Sequence, residues 1–327
     1  MNYSVSKTTL TYQWSPVVIP LNCLSIQRLL QQQLWHAVSL WQENNHLTQC
    51  LPEKIFSSHL KHYTGLVYRS AIAFPLASIF QLSPLDIASQ LVTILKEKAG
   101  ESPCEKEKLE FIVIALAKRS ASRCGHGSAS RRASGSIDFQ LSDRSLAFWL
   151  QQLPSWLTQD FSSRSTNAQK SPQPQQKQEN KVNLFPIQYA HARCCSLLRL
   201  GQEEGLIQLK NLDFSQRSWQ WLEPTPIPWL SESGNFLLIQ PPETNLIAQF
   251  LFIVDALDSS KEIDWPKLAT LSSNTWLNFY GHCPIWGEIK EKKGQIAQAR
   301  LGLIALTQYF LQILLEERIR VIAMKEL

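Results

Sequence analysis

The stretch PIQYAHARCCSLLRLG, Pro186 to Gly201, decides how the second half of this 327-residue chain is read. Its apolar pattern over Ile187 to Arg199 has helical spacing, and three later segments share it: Leu246 to Leu257, Trp265 to Tyr280 and Gly294 to Leu315. No strands alternate with these helices in the sequence pattern. Four amphipathic helices, each with one apolar stripe that needs a partner, predict an all-α bundle over 184–327. The Trp/Pro-rich insert WQWLEPTPIPW, Trp219 to Trp229, joins the first two helices as an ordered loop or as a partner surface.

Upstream, FSSRSTNAQKSPQPQQKQENKVN, Phe161 to Asn183, is rich in Ser, Gln, Asn and Pro and has one aromatic residue, at its edge. Such a composition cannot bury enough apolar surface to offset the entropy of ordering, so a flexible linker is expected over 161–183. It sets a first domain at 1–160 apart. There, Leu24 to Trp41 places Leu29, Leu30, Leu34, Val38 and Trp41 on one helical face. A second helix starts at Pro84, with Ser83 as its cap, and carries Ile87, Ala88, Leu91, Val92 and Leu95. A third is expected from Asp143, as its cap, to Pro154, which should stop it. The run Phe111 to Ala117 and the alternation Ile137, Phe139, Leu141 read as two strands around the polar loop Ser120 to Ser136. The predicted fold class is therefore an α+β N-terminal domain followed by an all-α helical-bundle domain.

Composition excludes several function classes. With 44% hydrophobic and 18% charged residues the chain is neither fibrous nor wholly disordered. Seven cysteines, an odd number without a CxxC pair, argue against a disulfide framework and fit a reducing, cytoplasmic setting. The start MNYSVSKTTLTYQW shows no signal-peptide pattern, and the most apolar stretches are interrupted by polar residues, so no membrane span is expected. The seven histidines include no HxxxH or HExxH spacing, no P-loop or G-x-S-x-G is present, and neither a metal nor a cofactor is implied. The net charge of +5 is uneven: residues 1–160 hold 15 Lys/Arg against 11 Asp/Glu, whereas 184–327 hold 13 against 15. A basic excess of that size permits nucleic-acid contact without establishing it.

The Gln-Tyr-Ala-His-Ala-Arg run, Gln188 to Arg193, followed by an apolar, arginine-bearing helix, resembles the start of the anticodon-binding (DALR) domain of arginyl-tRNA synthetases. LSSNTWLNFYGHCPIW, Leu271 to Trp286, resembles that domain's helix ending in Phe-Tyr, and QARLGLIALTQYFLQILLEERI, Gln298 to Ile319, its penultimate helix. Tyr68 to Leu95 and Ser136 to Leu153 resemble the extra N-terminal domain of the same enzymes. The catalytic domain that the family carries between these parts, with its HIGH-like and KMSKS-like motifs, has only the linker in its place. Gly125-His126-Gly127 lies in a polar loop and lacks the strand-to-helix turn that would present it to a phosphate.

The resemblance implies tRNA binding, with tRNA-Arg one candidate and the identity of the tRNA left open, without amino-acid activation and with no catalytic residue. An unstacked anticodon base needs an aromatic or guanidinium plane to lie on and polar groups to read its edge. Tyr189, His191 and Arg193, with Phe279 and Tyr280 opposite, are the residues implied for that contact. In the N-terminal domain Phe74 is implied for stacking and Arg69 for phosphate at the tRNA corner, with Lys118, Arg119, Arg131 and Arg132 gripping backbone. Where the family commonly has an Asn and a Lys, this sequence has Ala71 and Ser78, and it ends IAMKEL where the family ends in a Pro-Glu-Arg-Met-like tail. Two rival functions remain open: an accessory subunit for a separate catalytic chain, and a protein-interaction scaffold that has lost tRNA. A flexible linker of 23 residues gives a mean span of roughly 25 Å and little imposed geometry between the domains.

Overall fold

The computed structural model describes residues 16–20, 25–49, 51, 60–64, 66–98, 108–115, 135–164, 183–214, 219–259 and 261–327. In the N-terminal half the strands β1 (Pro16–Pro20), β2 (Leu60–Thr64), β3 (Val67–Ser70), β4 (Lys108–Ala115) and β5 (Ile137–Leu141) form one sheet in the order β1-β4-β5-β3-β2. Every neighbouring pair is antiparallel. Among the described residues four helices belong to this half: α1 (Ile26–Asn44), α2 (Ala73–Phe80), α3 (Pro84–Lys98) and α4 (Asp143–Arg164). The predicted apolar face of α1 is the buried one, with Leu29, Leu30, Leu34, Val38 and Trp41 in the core. Trp41 also donates its indole N–H to Gln90 Oε1 at 2.6 Å, tying α1 to α3.

Two details of α4 differ from the sequence expectation. Ser142, not Asp143, caps it: the Ser142 hydroxyl accepts from Ser145 N at 3.3 Å, leaving the Asp143 carboxylate to accept from Phe236 N at 2.9 Å. Pro154 does not stop the helix, which runs on to Arg164 and so covers the first four residues of the segment expected to be linker. A proline inside a helix costs about 3 kcal/mol; the apolar side chains ahead of it, Trp149, Leu150 and Leu153, are fully buried and anchor the helix against that loss.

The C-terminal half is built from α5 (Phe185–Glu203), α6 (Pro241–Asp258), α7 (Trp265–His282), the short α8 (Glu288–Lys292) and α9 (Gly294–Ile313). Helix α9 is the axis of the bundle. Its residues from Ala299 to Ile313 are buried all round, as expected only of a helix with partners on every side. The buried residues on it include Arg300, Thr307, Gln308 and Gln312. Arg300 forms an ion pair through Nε with Glu243 Oε1 at 2.8 Å, both side chains almost wholly buried. Glu243 also closes the capping box of α6, accepting from Gln240 N at 2.8 Å, so one carboxylate joins the start of α6 to α9.

The segment between α5 and α6 turns Trp219, Ile227 and Trp229 into the core and leaves Leu222 and Thr225 exposed. It holds a two-stranded antiparallel ribbon, β6 (Gln208–Lys210) and β7 (Gln220–Glu223), inside the otherwise helical half. Trp219 stacks on Tyr309 with ring centroids 4.4 Å apart, and its indole N–H reaches Gln308 Oε1 at 2.9 Å. Trp219 and Trp229 are both buried, so these two rings belong to the core and not to a docking face. Gln151 Oε1, from α4, accepts from Ile227 N and Trp229 Nε1 at 3.1 and 3.2 Å. The two halves are thus in contact, and the expectation of little imposed geometry between them gives way to a packed interface.

A candidate nucleic-acid interface on the first helix of the bundle

Pro186 sits in the first turn of α5, where its missing N–H is not needed, and Asn183 Oδ1 accepts from Phe185 N at 3.1 Å. From that start, Phe185, Tyr189 and Arg193 follow at intervals of four and share one face of the helix. Phe185 and Tyr189 stack with centroids 6.3 Å apart and planes 22° from parallel. Both are open to solvent, Phe185 at 63% and Tyr189 at 39% of full exposure. One turn on, Arg193 donates from Nε and Nη2 to Tyr280 Oη at 3.1 and 2.7 Å, with its Cζ 5.4 Å from the Tyr280 ring centroid. Tyr280, on α7, lies parallel to Trp276 at 5.3 Å and 2°. The result is a ridge of aromatic and guanidinium planes crossing from α5 to α7, exposed at Phe185 and Tyr189, half-buried at Arg193 and Tyr280, and backed by the buried Trp276.

Two of the five residues expected here lie elsewhere. Phe279 is fully buried and packs in the bundle core, because its position on α7 faces inward while Tyr280 lies half-buried at the core's edge. His191 is also fully buried. Its Nδ1 donates to Met324 O at 2.7 Å, and its Nε2 accepts from Gln308 Nε2 at 3.0 Å. Burial pushes this imidazole below its ordinary range, against the opposing pull of the Met324 carbonyl and Glu316, so the neutral ring is the form that fits these bonds.

What His191 holds is the end of the chain. After α9 a wide π turn, Leu314–Ile319, is closed by Arg320 in the left-handed conformation at φ 66°, with Val321 N returning to Leu315 O at 2.8 Å. The tail then runs back over α5. Gln188 grips it with both ends of its amide, donating to Ile322 O at 2.7 Å and accepting from Met324 N at 2.8 Å. The IAMKEL ending therefore folds against the helix that carries Tyr189, although it departs from the expected Pro-Glu-Arg-Met pattern.

In the N-terminal half Arg69 and Asp138 are register partners on β3 and β5, and their side chains form a two-pronged ion pair at 2.6 and 2.7 Å. The guanidinium expected to meet phosphate is thus already held by a carboxylate. Phe74, at the start of α2, is half-buried. Lys118, Arg119, Arg131 and Arg132 lie outside the described residues. Among the described residues no group of three or more His, Cys, Asp or Glu side chains is placed to hold a metal ion, and no single helix is long and apolar enough to cross a membrane.

Three curated proteins share sequence with this chain. The match to the arginine-tRNA ligase of Gloeobacter violaceus is 31% identical over 142 residues, 42% of this chain and 21% of that protein. For the arginine-tRNA ligase of Ruminiclostridium cellulolyticum it is 29% over 136 residues, 40% of this chain and 20% of the relative. For that of Synechococcus sp. it is 30% over 129 residues, 38% and 19%. The chain is related to the arginine-tRNA ligases. It spans about a fifth of the length of these curated relatives. No family model and no solved structure matches it.

Within this arginine-tRNA ligase relative, sequence reasoning passed over three residues of the ridge and its support. Gln188 stands beside Tyr189 in the quoted run, and its spacing of three from His191 puts both on the face that receives the tail. Phe185 and Trp276 each precede a chosen tyrosine by four residues, the interval at which helical side chains touch. That interval was the available signal.

Proposed function

We propose that this chain binds tRNA through the anticodon-binding surface of an arginyl-tRNA synthetase-like helical domain and does not activate an amino acid. The division into an N-terminal domain that ends with α4 at Arg164, a connecting segment from there to Asn183 and a helical domain at 184–327 is part of the proposal. One observation carries it: the exposed Phe185–Tyr189 stack continues into Arg193 and Tyr280 on a single ridge. Splayed bases lie on such planes because every base has a π-face, and a guanidinium beside them meets phosphate or a base edge. The related arginine-tRNA ligases support tRNA as the nucleic acid.

The test is direct binding of the full chain to tRNA-Arg and to other tRNAs, by fluorescence anisotropy over a range of salt. Replacing Tyr189 by Ala is expected to weaken binding by about 1 to 3 kcal/mol, with the melting temperature unchanged because the ring is half exposed. Protein free of host synthetase is expected to consume no ATP in response to arginine. Tight binding that survives loss of Tyr189 and Arg193 together would remove the ridge from the proposal, and co-purification with a catalytic synthetase chain would move the function to an accessory subunit.

A further inference from the structure

In the sequence Asp255 merely interrupts an apolar stretch; in the fold it is an acceptor shared by three donors across the contact between the two halves. It lies on α6 and is 93% buried, with 7% of its surface exposed. Its Oδ1 accepts from Ser25 Oγ at 2.9 Å and from Gln27 N at 3.0 Å, and its Oδ2 accepts from Tyr68 Oη at 2.5 Å. All three donors belong to the N-terminal half: Ser25 caps α1, Gln27 is in its first turn, and Tyr68 is on β3. A carboxylate at a helix N-terminus meets backbone N–H groups that have no partner within the helix. Here the carboxylate comes from 230 residues away in sequence. Beside it, Asp258 pairs with Arg28 Nη1 at 3.0 Å, so among the described residues Arg28, Asp258 and Tyr68 are charged or titratable groups that face the site from α1, α6 and β3.

We propose that Asp255 is a latch that closes the N-terminal half onto the helical half so that the two move as one body, and that the latch tightens as the solution is acidified. Nothing in the proposed RNA ridge depends on it. The direction of the pH response follows from the burial of the carboxyl. Desolvation pushes Asp255 up to about 6 from an ordinary 3.8, the hydrogen bonds from Tyr68, Gln27 and Ser25 hold it down, and Asp258 adds to the rise. Tyr68 is held well above its ordinary range, by burial first and then by Asp255, so it stays a donor. A carboxyl whose value is higher in the closed state than in the open state binds its proton more tightly when closed. Closing is therefore favoured below pH 6 and weakened as pH rises through 6, and linkage between these two values gives about a tenfold change in the closing constant from pH 7.5 to pH 5.

Amide hydrogen exchange of the full chain reads the opening at Gln27 N, once intrinsic exchange rates are corrected for pH, and small-angle X-ray scattering reads the separation of the halves. Wild type is expected to protect Gln27 about tenfold more at pH 5 than at pH 7.5. Asp255→Asn resembles the protonated carboxyl in shape and hydrogen bonding, and should stay compact and lose the pH response. Asp255→Leu removes the shared acceptor and should lose Gln27 protection and enlarge the scattering radius. Should the Leu variant not fold, Tyr68→Phe takes its place: with one donor fewer, the pH at which protection falls off should move upward. Equal wild-type protection at the two pH values, an Asn variant that still follows the wild-type pH response, a Leu variant as compact as wild type, or a Phe variant with an unmoved transition would each overturn the proposal.

Discussion

Arg193 aims both Nε and Nη2 at a single atom, Tyr280 Oη, so the phenol fixes where the guanidinium plane stands on the ridge. Tyr280→Phe keeps the ring and its parallel contact with Trp276 but removes the acceptor. Each net hydrogen bond of this kind is worth about 1 kcal/mol, and partial exposure reduces that. The expected outcome is a melting temperature within a few degrees of wild type and tRNA binding weakened by about 1 kcal/mol. Parallel thermal melts and anisotropy titrations check it; a larger fall in stability than in affinity would place Tyr280 in the core.

His191 gives the tail a pH response of the opposite sign to that of Asp255. Its imidazole is lowered in the fold, first by burial, so the unfolded chain takes up the proton more readily. Stability from this group is present above the ordinary imidazole value of 6.5 and is lost as pH falls below it. Melting curves at a series of pH values should show a decline on acidification that is shallower in His191→Gln than in wild type. An unchanged slope would mean that the ring is not buried against Met324.

How far these features were legible differs residue by residue. The four long helices of the bundle and the apolar face of α1 followed from periodicity, because one buried stripe per helix leaves a mark every three or four residues; α8, with no buried residue, did not. Helix α2 and the strands β1, β2 and β3 were not placed as elements, since each is too short to show a repeat. On the candidate site, Tyr189, Arg193 and Tyr280 are at least partly open to solvent. Phe279 and His191 are not, because one position along a helix separates an outward side chain from an inward one, and residue type does not tell the two apart. The Asp255 contact lay beyond any local pattern: its donors, Ser25 and Tyr68, stand 230 and 187 residues away.

The buried pair Glu243–Arg300 yields a stability prediction. Both side chains are within 3% of full burial, and Arg300 Nη1 also donates to Pro284 O. Removing one partner leaves the other charge buried and uncompensated, which costs about 3 to 5 kcal/mol. Arg300→Leu should therefore lower stability by that amount in urea unfolding, whereas Arg300→Leu combined with Glu243→Leu should recover part of the loss. No recovery would show that the cap of α6 and the Pro284 carbonyl, not the pairing of charge, account for the effect.

Gly302 lies where α9 passes under the Trp/Pro-rich insert. A Cβ built there would stand 2.6 Å from Trp229 Cη2, closer than such contacts can be, and 3.0 Å from Ile227 Cγ2, a tight contact. Ordinarily Gly→Ala inside a helix stabilises by about 1 kcal/mol. Here the added methyl must displace a buried indole that also holds Gln151 through its N–H, and overpacking of that kind costs about 1 to 3 kcal/mol. Gly302→Ala is expected to destabilise the chain in thermal unfolding, and Trp229→Phe in the same background to restore part of the loss by making room for the methyl. Because Trp229 sits in the core and away from the α5 ridge, tRNA affinity of the folded protein should not change in either variant. A stabilised Gly302→Ala protein would show that the insert does not pack on α9 in solution, and would return Trp229 to the surface as a residue free to meet a partner.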